Sequence, residues 1–310
     1  MLNKTKTLLL LLACISINAV VAQEKKENDK ETSKSSFKID ANYVSNSVYL
    51  GRKDSTTLPY ITPTIGYYHK TGLYISAAAA YSTHDKRLDY FTIDGGYEFS
   101  INKKLSGSVN INRSFYNDSS SNISSDIKAN IGTSWTYDFG VVELRAGADL
   151  SFANKKDYGL NLGLARSFYI GEEGNQWTIT PSTVVNFNTL NFYEGYTSKT
   201  NGRKQKLKNP LVTSVVSTTT VTNRNANSLT LMDYEFSVPV SYDAKKWGIY
   251  LTPTIAVPQN AIETKTTNVI SLRSPPAATP TQTITTDSTP DSEKKLQSNF
   301  YVEFGVYFKF

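Results

Sequence analysis

Two histidines, His69 and His84, are all that the chain offers for general acid–base chemistry at neutral pH. Ser82-Thr83-His84-Asp85 has the residue types of a hydrolase site, with a nucleophile, a base and an orienting carboxylate. Closeness along the chain does not bring those side chains into hydrogen-bond reach, and residues of an exposed turn are ordinarily inert. No histidine and carboxylate cluster has metal-ligand spacing, Asn117-Asp118 is ordinary turn chemistry, and no cofactor is implied. A different pattern is more informative. Charged residues recur at even spacing, as in Lys38/Asp40, Asp94/Glu98, Glu143/Arg145/Asp149 and Asp233/Glu235, with Lys128, Glu303 and Lys309 in similar settings. On a β-strand, even spacing puts side chains on one face. A wall of carboxylates around water attracts cations, which is the chemistry of a pore rather than of a reaction.

The elements that must carry this wall are legible. In Asn299 to Phe310 the residues Phe300, Val302, Phe304, Val306, Phe308 and Phe310 alternate with Asn299, Tyr301, Glu303, Gly305, Tyr307 and Lys309. One face is apolar and the other polar and charged, as in a strand with unlike surroundings on its two sides. Segments of this kind, bounded by Gly, Asn, Asp, Ser and Lys clusters, predict about twelve strands. They span 37 to 50, 59 to 69, 73 to 82, 88 to 101, 105 to 116, 125 to 137, 141 to 153, 158 to 170, 176 to 193, 228 to 242, 247 to 258 and 298 to 310. Even-numbered connections are short and two odd-numbered ones, 194 to 227 and 259 to 297, are long. Trp135, Trp177 and Trp247 all fall at the short-turn ends, on the outward parity. Arg113 and Arg166 share that parity, so either a bulge turns them inward or they reach lipid headgroups. The first strand shifts parity between Tyr43 and Val48, another place for a bulge. Ile-Thr-Pro-Thr-Ile at 61 to 65 is echoed at 179 to 183 and 251 to 255, and proline inside a strand marks a similar bend at each.

The first residues add a compartment. Lys4 and Lys6, an apolar stretch from Leu8 to Val21 and small residues before Gln23 make residues 1 to 22 a secretory signal. Cys14 allows a rival lipoprotein reading. With the signal removed the chain has no cysteine, hence no disulfide. Residues 23 to 36 form a charged, flexible leader, and the fold fills 37 to 310. The formal charge of +6 includes Lys4 and Lys6, so the processed chain carries +4, too dispersed for nucleic acid.

With its terminal aromatic strand, loop asymmetry and tryptophan girdle, the chain resembles the porin-like outer-membrane β-barrels of double-membraned bacteria. That resemblance implies a single all-β transmembrane antiparallel up-and-down barrel of about twelve strands, with ten or fourteen as alternatives. It also implies the barrel assembly machinery as a transient partner, reading Tyr301, Phe308 and Phe310, and Trp135, Trp177 and Trp247 as a membrane girdle. Strand parity makes Asp94, Glu98, Lys128, Glu143, Arg145, Asp149, Asp233, Glu235 and Glu303 pore-lining. Lys199, Arg203, Lys204, Lys206 and Lys208 in the first long loop could hold anions such as lipopolysaccharide phosphates. The leading expectation is a small water-filled pore or transporter, integral to the outer membrane, with a cation-preferring lumen. A closed structural or ligand-binding barrel, a surface hydrolase around His84 and a soluble β-sandwich are the alternatives.

Overall fold

The computed structural model describes residues 34–53, 57–118, 120, 122, 124–193, 197–201, 212–222, 227–260, 263–272, 281–286 and 296–310. Among them, twelve strands form one closed ring. In chain order they are β1 (Ser36–Val44), β2 (Tyr60–Tyr68), β3 (Leu73–Ser82), β4 (Arg87–Ser100), β5 (Leu105–Tyr116), β6 (Ala129–Asp138) and β7 (Glu143–Phe152). β8 (Lys156–Ala165, then Phe168–Glu172), β9 (Asn175–Ile179, then Ser182–Asn188) and β10 (Thr230–Ser237, then Val240–Ala244) are each interrupted once, and β11 (Trp247–Pro258) and β12 (Asn299–Lys309) complete the set. Each strand pairs antiparallel with the next, and β12 returns to β1 with Lys309 opposite Lys38 and Glu303 opposite Val44. Closure leaves the barrel no unpaired edge.

The two faces are inverted relative to a soluble protein. Ile39, Ile65, Ile75, Ile93, Ile111, Ile131, Leu162, Phe236, Ile255 and Phe304 all project from the outside and are 42–57% exposed. The inner face carries the charged and hydroxyl groups. A soluble sandwich buries its apolar faces against each other; here that face surrounds the molecule, so the β-sandwich alternative is overturned. The architecture is a closed, twelve-stranded, antiparallel up-and-down β-barrel with an apolar exterior.

Boundaries differ from expectation where the chain leaves the wall. The first strand ends at Val44 rather than 50, and there is no parity shift within it: Phe37, Ile39 and Tyr43 all face out. The change read near Tyr43–Val48 is the chain turning away from the sheet. The ninth strand likewise stops at Asn188, and the sixth begins at Ala129. Real bulges lie elsewhere. Ala80 opposes Tyr90 and Tyr81 opposes Leu88, so Asp89 is an extra residue turned inward, and a second register shift falls at Asn186/Phe187.

The three interruptions are aligned. Arg166 N–H donates to the Pro181 carbonyl at 3.1 Å, Thr180 N–H to Pro239 at 2.8 Å, and Val238 N–H to Pro253 at 3.2 Å. Each proline accepts from the strand before it and, lacking an N–H, returns nothing. Pro181 and Pro253 belong to the repeated motif; Pro239 joins them only in space. Arg113 and Arg166 are not turned inward by any bulge. Arg166 reaches the turn end, where it donates to the Gly140 carbonyl at 2.9 Å, and Arg113 stays on the outer face above the Phe115 ring.

The two long loops join each other. Val212–Thr222 pairs with Thr197–Asn201 and with Glu263–Leu272, which pairs in turn with Thr281–Thr286. This four-stranded sheet is separate from the barrel ladder, so the Val/Thr run adds no barrel strand.

Candidate functional site

The lumen is built from the inward residues of the ring. Alternation places Asp40, Asp94, Glu98, Glu143, Arg145, Asp149, Asp233, Glu235 and Glu303 on the inner wall, and Lys128 at the loop end where β6 begins. Many of these charges are engaged by their neighbours. Arg145 donates to Glu143 at 2.6 Å, and the Ser167 hydroxyl donates to the same carboxylate at 2.8 Å. Asn130 donates to Asp149 at 3.2 Å, Asn186 donates to Asp233 at 2.7 Å, and Asn42 donates to Glu303. Lys38 lies 4.0 Å from Asp40.

Several tyrosines lie flat against this wall because glycine stands opposite them. Tyr74 is paired with Gly96, Tyr250 with Gly305 and Tyr307 with Gly248. A Cβ built on Gly96 would come within 2.7 Å of the Tyr74 ring, and on Gly305 or Gly248 within 2.3 or 2.4 Å of Tyr250 or Tyr307. Without the glycines those rings would have to swing into the lumen. A cavity of about 190 Å³ opens beside them, lined by Lys38, Asp40, Thr64, Gly66, Tyr68 and Tyr250.

The loop end is filled. After β1 the chain makes a small hairpin, Val48–Tyr49 against Arg52–Lys53, whose base is closed by Ser47 N–H to the Leu58 carbonyl and Leu58 N–H to the Asn46 side chain, both at 2.9 Å. Tyr49 and Leu50 pack with Ile127, Ala153, Leu190, Phe192 and Met232, which belong to the opposite half of the ring and its connections. The hairpin therefore crosses the mouth. Gly51, at φ +75°, approaches so closely that a Cβ would stand 2.7 Å from the Asp233 Cβ, and Asn299 donates to the Gly51 carbonyl at 2.7 Å. The Arg52 charge faces Asp233 on the wall. Burial pushes the Tyr49 hydroxyl up from its usual range, and the Asp149 and Asp157 carboxylates act in the same direction.

Two carboxylates that strand parity missed hold the filling in place. Asp157, 1% exposed, accepts from the Thr189 hydroxyl at 2.6 Å, Asn191 N–H at 2.6 Å and Phe192 N–H at 2.7 Å. Asp89, also 1% exposed, accepts from the Tyr60 and Ser120 hydroxyls at 2.8 Å and lies 3.5 Å from Arg87. Asp157 sat one residue before the expected strand. Strict alternation back from Phe91 would turn Asp89 outward, and the apolar pair Leu88 and Phe91, three apart, is the local sign of the bulge.

The remaining candidates are dispersed. His69, in a turn, shares a 2.8 Å hydrogen bond with Thr71, and His84 is at the opposite end. Ser82 is fully buried and accepts from Asp85 N–H at 3.1 Å, while Asp85 pairs with Arg87 at 3.3 Å, so the 82–85 segment is a closed turn. Trp135, Trp177 and Trp247 face outward at the turn end, 37–44% exposed; Tyr242 lies between the last two at ring distances of 5.0 and 5.6 Å. Phe308 and Phe310 are outward and Tyr301 inward. Arg203, Lys204, Lys206 and Lys208 lie outside the described residues, as do the signal stretch 1 to 22 and most of the leader.

No protein-family model and no curated protein matches the chain. Among solved structures it is similar to the KdgM porin, at TM-score 0.44 and 9% identity over 88% of this chain and 99% of that one. It is also similar to an outer membrane channel from Pseudomonas putida F1 (0.34, 11%, 92% and 100%) and to OmpF of Salmonella typhi in complex with daunomycin (0.30, 9%, 89% and 97%). The barrel itself rests on its own strand pairing, not on these likenesses.

Proposed function

We propose that this chain is an exported, integral protein of the bacterial outer membrane that passes small solutes through an acidic, cation-preferring lumen. The observation that carries the reading is the inversion of the sheet: an apolar belt outside and a charged wall inside, with tyrosines held flat by glycines so that space remains between. Lipid, including lipopolysaccharide, covers the belt, the barrel assembly machinery is met in transit, and the loop end faces the exterior. The hairpin across the mouth supports a second reading, in which the barrel is closed and works through its outer loops. A catalytic role around His84 has less support, because Ser82 and Asp85 are engaged in the turn itself.

Planar-bilayer recording of the refolded full-length protein under a salt gradient separates these. The pore reading expects steady openings whose reversal potential favours cations, and a loss of that preference in Asp94→Asn/Glu98→Gln. A folded barrel that stays silent, and remains silent when the hairpin is shortened, would sink the pore and leave the loops as the working surface.

A further inference from the structure

The outer belt is indented beside Gly95. On β3, β4 and β5 the outward positions include Ile75, Ala77, Ile93, Gly95, Ile111 and Arg113, with Gly95 directly opposite Ile75 and Ile111, and Ile93 opposite Ala77 and Arg113. The absence of a side chain at Gly95 leaves a groove of about 330 Å³ walled by Ile75, Ile93 and Ile111, with Arg113 at its loop-side end. Arg113 is exposed, its cross-strand neighbours are Ile93 and Ala129, and its guanidinium stands 5.1 Å from the Phe115 ring centre. Among the described residues none forms an ion pair with it. A cation on the lipid face is costly at the bilayer centre and nearly free at the interface. Arg113 stands two residues, roughly 7 Å, below Phe115. Its guanidinium, lying over Phe115, extends from there toward the loop-side rim.

We propose that Arg113 and the groove over Gly95 form a binding site for one phosphorylated glycolipid of the outer leaflet. The phosphate pairs with the guanidinium, and an acyl chain runs toward the membrane centre in the groove. Polarity matches geometry: the charged end of the site faces the loops and the apolar end faces the bilayer interior. An arginine also suits phosphate better than a lysine, since its planar fork donates two hydrogen bonds at once. The site rests on the membrane reading above.

The two halves can be removed separately. A Cβ on Gly95 would meet only the Tyr74 carbonyl at 3.5 Å, an ordinary contact, so Gly95→Val fills the groove without disturbing the wall. Lipid A, its dephosphorylated form and phosphatidylglycerol would be titrated into the detergent-purified full chain and followed by native mass spectrometry. Heat-shifted gel mobility would confirm a folded barrel for each variant. The proposal expects a one-to-one lipid A adduct that weakens roughly tenfold, equivalent to about 1.4 kcal/mol, in Arg113→Leu and in Gly95→Val. Arg113→Lys should fall between. Equal binding by the dephosphorylated form or by phosphatidylglycerol, or undiminished adducts in both folded variants, overturns it. A chain that stays soluble without detergent instead defeats the membrane reading, which makes the two failures distinguishable.

Discussion

Single residues decide whether the lumen has room. Gly248 and Gly305 let Tyr307 and Tyr250 lie along the wall, so Gly248→Ala should push the Tyr307 ring toward the axis and lower single-channel conductance without changing gel mobility. An unchanged conductance would mean the ring is not beside the solute path. Asp157 poses the opposite case, since it satisfies three donors of the 189–192 segment. Removing a buried acceptor leaves each donor uncompensated at about 1–3 kcal/mol. Asp157→Ala should therefore loosen the mouth, seen as longer or larger openings, and lower the denaturant midpoint. Gly51 combines left-handed backbone with close approach to Asp233, so Gly51→Ala should displace the hairpin and raise conductance as well.

At the scale of elements, the line of Pro181, Pro239 and Pro253 is a seam in an otherwise continuous ladder. Each proline removes a donor from a pair whose other bond is present, so restoring one should add about 1 kcal/mol. Pro239→Val is expected to raise the unfolding midpoint modestly and to slow hydrogen exchange at Thr180 and Val238; faster exchange would show that the bend, not the missing bond, matters. The repeated motif thus marks barrel geometry in two of its three copies by direct contact with this seam. Pro63 sits apart, opposite Ala41. The terminal strand is both the ring's closure and the proposed assembly signal. Phe308→Ala with Phe310→Ala should reduce the heat-shifted, membrane-inserted fraction in cells while leaving refolding in detergent intact.

For the whole molecule, the balance between open wall and filled mouth sets the behaviour. The described inner wall carries charged and hydroxyl groups, yet the hairpin from one side meets an apolar cluster from the other, which on the pore reading would narrow entry from the loop end. On the proposed pore reading, replacing residues 46 to 53 with a short Gly-Ser link should increase conductance and keep the cation preference, because Asp94 and Glu98 stay in place. Loss of preference together with the hairpin would move selectivity from the wall to the mouth.

Alternation of side chains along each segment is local, and it was enough to assign the strands and their inward and outward faces. Parity survived even through the breaks in β8, β9 and β10, because a strand interrupted by proline keeps its period of two. What parity could not see were the places where the chain leaves the wall or gains a residue: Asp89 at its bulge, Asp157 before its strand, and the 46–53 hairpin, whose residues up to 50 fell within the expected first strand. Whether apolar faces look outward or into a core is likewise invisible in alternation, since both give the same pattern. Ring closure between β1 and β12 decided that. The filling of the mouth was decided the same way, by Tyr49 and Leu50 meeting Leu190, Phe192 and Met232 across the barrel, contacts between residues far apart in sequence that no periodicity encodes.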